Sequence, residues 1–133
     1  MARNTREIFA AIDSMVAENF TSHLTDDVTF RFGNGDPIVG HEGIAAAING
    51  FWTTIDGMRH HIREIWDVDA DTTVVLIDVE YTRKDGVPVF TPNVDILRWA
   101  GDKVADWQIV IDVAPIYAPV DEIPAAARSL QTA

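Results

Sequence analysis

Beyond Gly57 apolar and polar residues alternate with a period of two, in four runs at 60–67, 72–82, 87–99 and 104–113. Successive residues of a strand face opposite sides, so this rhythm predicts four long strands, each with an inner and an outer face. Lys84-Asp85-Gly86 and Ala100-Gly101-Asp102-Lys103 supply residues that tolerate positive φ, which connects such strands as antiparallel hairpins. The first half of the chain reads differently. Ile8, Ile12, Met15, Val16 and Phe20 recur at helical spacing behind Asn4 and Thr5, predicting one amphipathic helix over 4–20. A short helical turn at 22–27 then leads into a half-buried strand carrying Val28, Phe30 and Phe32. After the turn Gly33-Asn34-Gly35-Asp36-Pro37 and Gly40, the stripe Ile44, Ile48, Phe51, Trp52 and Ile55 predicts a second helix. Two helices followed by a meander give an α+β layer, the helices covering one face of the sheet.

A chain of 133 residues suits a single core and a single site. The net charge of −11 repels a phosphate backbone and the basic residues are scattered, so nucleic acid is not an expected partner. No apolar run approaches the roughly 20 residues that span a bilayer. Met1-Ala2-Arg3-Asn4 lacks the apolar stretch of a signal peptide, so a membrane is not an expected partner and a cytoplasmic location is expected. There is no cysteine, which removes disulfides and thiolate chemistry. The pair His60-His61 points to opposite faces of a strand, and no carboxylate completes a metal-binding set. Neither metal nor cofactor is expected.

Three phrases carry a resemblance: Leu24-Thr25-Asp26-Asp27-Val28-Thr29-Phe30, Gly40-His41-Glu42-Gly43-Ile44 and Gly101-Asp102-Lys103-Val104-Ala105-Asp106-Trp107. In this order they resemble the nuclear-transport-factor-like superfamily, with its SnoaL-like and ketosteroid-isomerase-like families, over about Thr5 to Tyr117. The resemblance implies a cone-shaped, curved antiparallel sheet wrapped over N-terminal helices, with a pocket for a small apolar molecule of polyketide, terpenoid or steroid type. It makes residues 1–117 the domain. The tail 118–133, rich in Pro and Ala, is expected to be loosely held or to lie at a dimer interface.

The family register turns Phe30, Phe32, His60, Ile62, Leu76, Asp78, Glu80, Thr91, Asn93, Asp95, Leu97, Ile109 and Ile111 inward, with Trp52 and Trp99 as further candidates for the pocket wall. A slip of one residue would bring in His61 and Arg63 instead of His60 and Ile62. Asp95-Ile96-Leu97-Arg98-Trp99 resembles the isomerase strand that bears an oxyanion-hole aspartic acid. A carboxyl group buried there loses hydration in its charged form, so its pKa rises and it can donate a proton to an enolate. The other isomerase residues are missing, since the tyrosine falls near Ile8 and the base near Phe32. Asp78 stands where epoxide hydrolases of the superfamily keep one aspartate, but Leu76 replaces their arginine. Ile109 replaces their second aspartate, and stands where SnoaL-type cyclases place a base. His60 stands where family dehydratases pair a histidine with a first-helix carboxylate, here Asp13. Such a carboxylate fixes the tautomer that leaves the other ring nitrogen free to take a proton. Each polar group also has a structural alternative, satisfying backbone or neighbouring side chains.

Trp66, Ile65 and Val68, with Val75, Ile77, Val79, Val94 and Ile96 read as outward-facing, leave the outer face too apolar for water. A homodimer is expected. The expected function is cofactor-free acid/base catalysis by an isomerase, cyclase or dehydratase, with a non-catalytic ligand-binding module as the alternative.

Overall fold

The computed structural model describes residues 3–130; positions 1–2, and 131–133 of the tail, lie outside the described residues. The predicted single helix over 4–20 is two helices, α1 (Thr5–Asp13) and α2 (Ala17–Thr21). Met15 adopts φ 56, a left-handed conformation that ends a helix. The Ser14 hydroxyl there donates to the Ala11 carbonyl and accepts from the Val16 amide at 3.3 Å and Asn19 Nδ2 at 3.0 Å. These local bonds compete with helix continuation. The expected turn at 22–27 is already strand for most of its length, because β1 runs Leu24–Phe32. A two-residue strand β2 (Ile38–Val39) and helix α3 (His41–Trp52) follow, and Gly40, at φ 89, makes the corner between them. Only glycine adopts that angle without strain.

The four long strands are β3 (Ile55–Asp67), β4 (Thr72–Arg83), β5 (Pro88–Ala100) and β6 (Lys103–Ile111). They form the expected antiparallel meander within a curved, unclosed sheet of order β2-β1-β6-β5-β4-β3. The pairing of β1 with β6 is parallel. On the concave side α1 buries Ile8, Phe9 and Ile12. Trp107, fully buried, meets Phe9 and Phe20 edge-on at ring distances of 5.5 and 5.1 Å.

Cross-strand pairs correct the expected register of β4. Val79 lies opposite His60 and Thr91, Ile77 opposite Ile62 and Asn93, and Val75 opposite Asp95. The concave set is therefore Val75, Ile77, Val79 and Tyr81, all buried, whereas Leu76, Asp78 and Glu80 face outward. A shift of one residue exchanges every side chain between faces, and here the uniformly apolar set takes the core side. In β3 a bulge between Ile62 and Glu64 changes the parity, so Ile65, expected outside, packs against the core. The outer face still carries Trp66, 47% exposed, and Val110, 52% exposed, beside half-buried Val74, Leu76, Val94 and Ile96.

After β6 a short helix α4 (Ala114–Tyr117) and 3-10 turns at Val120–Glu122 and Ala125–Arg128 bury Ile116, Ile123 and Ala127 against the core. Arg128 donates to the carbonyls of Val120 and Ile123, folding this segment onto itself.

Candidate functional site

The helix break at Ser14–Met15 leaves Asp13 at the C-terminal end of α1, beside the middle of β3. Its carboxylate accepts from the His60 backbone amide at 3.0 Å and from His60 Nδ1 at 2.5 Å. The Phe9 ring lies 5.0 Å from the imidazole. Held on the chain side by a carboxylate and on one flank by an aromatic ring, His60 has one defined orientation. With Nδ1–H donating to Asp13, Nε2 is the ring atom that carries the lone pair.

Asp95, 1% exposed on β5, is the other pole. Asn93 Nδ2 donates to Oδ1 at 2.5 Å and Trp107 Nε1 to Oδ2 at 2.9 Å. Burial pushes its pKa up to about 6; the positive charge that His60 carries in its protonated form, and the hydrogen bonds from Trp107 and Asn93, pull the other way without overcoming desolvation. Burial also pushes the Tyr81 phenol well above its usual range, and the charges of Asp95, Tyr117 and Asp13 act in the same sense. Tyr81 is thus a hydroxyl that keeps its proton. Among the described residues neither Asn93 Oδ1 nor Thr91 Oγ1 has a hydrogen-bond partner, though both are buried.

These groups meet at a cavity of about 450 Å³, within the range of small-molecule sites. His60, Asn93, Asp95 and Tyr81 are its polar residues from the sheet, with Asp13 behind His60, and the exposed Asp36 lies beside it in the loop before β2. The rest is apolar: Ile12 and Phe20 from the first helices, Phe30, Phe32, Met58, Val79 and Ile109 from the sheet, Ile38, and Ile48, Phe51 and Trp52 from α3. Among the described residues no three His, Cys, Asp or Glu side chains gather to hold a metal ion.

Of the residues expected at the site, the structure brings together Asp13, His60, Asn93, Asp95, Phe30, Phe32, Trp52 and Ile109. Ile62, Thr91, Leu97, Trp99 and Ile111 belong to the concave side of the sheet but do not line the cavity. Trp99 instead donates to Thr73 Oγ1 at 2.9 Å. Asp78 and Glu80 are on the other face. Asp78 lies 3.6 Å from Arg63 Nε, and Glu80 accepts from His61 Nε2 at 2.8 Å. Sequence reading missed Tyr81 and Val79, although they share parity with Val75 and Ile77. It also missed the role of Trp107 as a donor to Asp95, which no spacing reveals because the two lie on different strands.

A helix-packed, curved sheet with a polar pole inside an apolar cavity defines the nuclear-transport-factor-like class of α+β cone, a fold whose members include cyclases, isomerases and epoxide hydrolases. Within it, residues 5–107 match the SnoaL-like domain, and the chain belongs to that family. No curated protein matches it. Among solved structures it is similar to an NTF2-like protein of unknown function from Burkholderia pseudomallei, with a TM-score of 0.77, 21% identity and coverage of 91% of this chain and 95% of the other. TerC, crystallised with polyporic acid, gives 0.73 and 22% identity, covering 83% and 89%. A ketosteroid-isomerase-like protein from Catenulispora acidiphila, in complex with trimethylamine, gives 0.75 and 15% identity, covering 95% and 94%. Among the described residues no helix is long and apolar enough to cross a membrane.

Proposed function

We propose that this protein catalyses proton transfer on a small, largely apolar molecule without a cofactor, as an isomerase, cyclase or dehydratase. The observation that carries the reading is the Asp13–His60 pair facing the same cavity as Asp95. In this scheme His60 Nε2 takes a proton from carbon, Asp13 stabilises the imidazolium that results, and Asp95 exchanges a proton with the developing oxyanion. A carboxyl group whose pKa lies near 6 changes charge close to working pH, which suits a general acid or base. Tyr81 adds a fixed donor, and the apolar wall excludes water and strengthens each of these interactions. The outer face, with Trp66 and Val110 exposed, supports a homodimer formed through the sheet.

Surrogate ketones can stand in for the natural substrate in the test. Hydrogen–deuterium exchange at the α-carbon of tetralones and indanones is followed by NMR in D2O. The expected result is faster exchange with protein than without, reduced about 100-fold or more in His60→Gln. Exchange that is not accelerated, or that survives both His60→Gln and Asp95→Asn, overturns the catalytic reading. A non-catalytic ligand-binding module then remains, favoured by one feature of the wall: Ile109 occupies the cavity position where the family resemblance places a cyclase base.

A further inference from the structure

The charges around the cavity are unbalanced in one direction. Among the described residues that line it there is neither lysine nor arginine, while two of them, buried Asp95 and the solvent-exposed Asp36, are acidic. The third carboxylate, Asp13, lies directly behind His60. The polar pole is equally one-sided in its hydrogen bonding. Asp95 accepts on both oxygens, Asn93 turns its amide nitrogen toward Asp95, and Asn93 Oδ1 is left buried without a donor. His60, with Nδ1 turned to Asp13, presents a lone pair. A carboxylate and an imidazole lone pair are acceptors, so a ligand that brings N–H groups to this pole is favoured over one that brings only oxygen acceptors. The cavity wall around the pole includes the rings of Phe30, Phe32, Phe51, Trp52 and Tyr81. Aromatic faces attract cations, and the attraction strengthens where water is excluded.

We infer that the ligand of this cavity carries a protonated amine on an apolar frame, its ammonium donating to Asp95. The inference rests on the reading that this cavity is the ligand site, and it adds the charge of the ligand; an ammonium held at Asp95 takes that carboxyl group out of the proton transfer, which the His60–Asp13 pair then carries. An anionic ligand meets no lysine or arginine among the described residues of the wall. A neutral alcohol supplies one donor where the ammonium supplies up to three.

Calorimetric titration with naphthylmethylamine, naphthylmethanol and naphthoate, which share one ring system and differ in their head group, tests this in the wild-type protein. The amine is expected to bind at least about 10-fold more tightly than the alcohol, with the carboxylate weakest. In Asp95→Asn, checked for folding by circular dichroism, the amine is expected to fall to the affinity of the alcohol while the alcohol is unchanged. If alcohol or carboxylate binds the wild type as tightly as the amine, the charge inference is overturned and the cavity remains the ligand site. If none of the three binds, the ligand-site reading falls with it. The wild-type series decides the matter even where Asp95→Asn does not fold.

Discussion

Asp95 and Asp78 are each 1% exposed, yet they sit on opposite faces of one sheet and are accommodated by different means. Asp95 receives hydrogen bonds from two neutral donors, Asn93 and Trp107, and desolvation raises its pKa to about 6. Asp78 has no hydrogen bond to either oxygen among the described residues, and its neighbour is the Arg63 guanidinium at 3.6 Å. Equal burial thus produces a chemically responsive carboxyl group on one side and an ion pair on the other. What separates them is the neighbour: Asp78 has a guanidinium beside it, whereas Asp95 is held by two neutral hydrogen-bond donors and meets the charge of His60 only through space.

The largest effect that can break this comparison lies on the outer face. Arg63→Met strands a buried carboxylate and is expected to cost about 3–5 kcal/mol in urea denaturation, most of it recovered in the double variant with Asp78→Leu. A loss below about 1 kcal/mol would show that Asp78 does not depend on Arg63. Asp13→Asn comes next. It keeps an acceptor near His60 but removes the charge, and α-carbon exchange is expected to fall about 30- to 100-fold, whereas Asp78→Asn leaves exchange unchanged.

Asp95 also makes stability depend on pH. Its folded pKa, about 6, lies above the ordinary 3.8, so the folded chain binds the proton first as pH falls. The contribution is complete below about 3.8 and is lost as pH rises through about 6; its size is about 3 kcal/mol. Denaturation between about pH 4 and 7 is expected to show this slope in the wild type and not in Asp95→Asn. An identical slope in both would place the titration elsewhere. The smallest effect on the fold is expected from Trp66→Asp, within about 0.5 kcal/mol for the protomer, together with a shift from dimer to monomer in sedimentation equilibrium. A wild type that already sediments as a monomer removes the dimer.

Much of this architecture is legible in the chain. Four period-two runs and their glycine-bearing turns predict the meander, and the inward placement of His60, Asn93 and Asp95 follows from the same rhythm once one residue is anchored. The parity of β4 is legible as well, but in a plainer signal than the family register, which points the wrong way there. Val75, Ile77, Val79 and Tyr81 form an unbroken apolar set, while the alternative set contains two acids. The parity change in β3 is invisible for another reason, since a bulge is a property of pairing and not of composition. The break after Asp13 is hidden by helical spacing that continues through Met15 and Val16. It is nevertheless what sets the carboxylate beside His60.

The parallel pairing of β1 with β6 has a consequence for how the molecule is made. Phe30 and Phe32 reach Trp107 and Ile109 only when β1 meets β6. Contacts between distant parts of a chain carry a larger loop-closure entropy and slow folding. The cavity wall can therefore be completed only after synthesis has delivered nearly the whole domain. A chain released before β6 lacks part of that wall, and a ligand that binds only the folded state stabilises the finished fold as a unit.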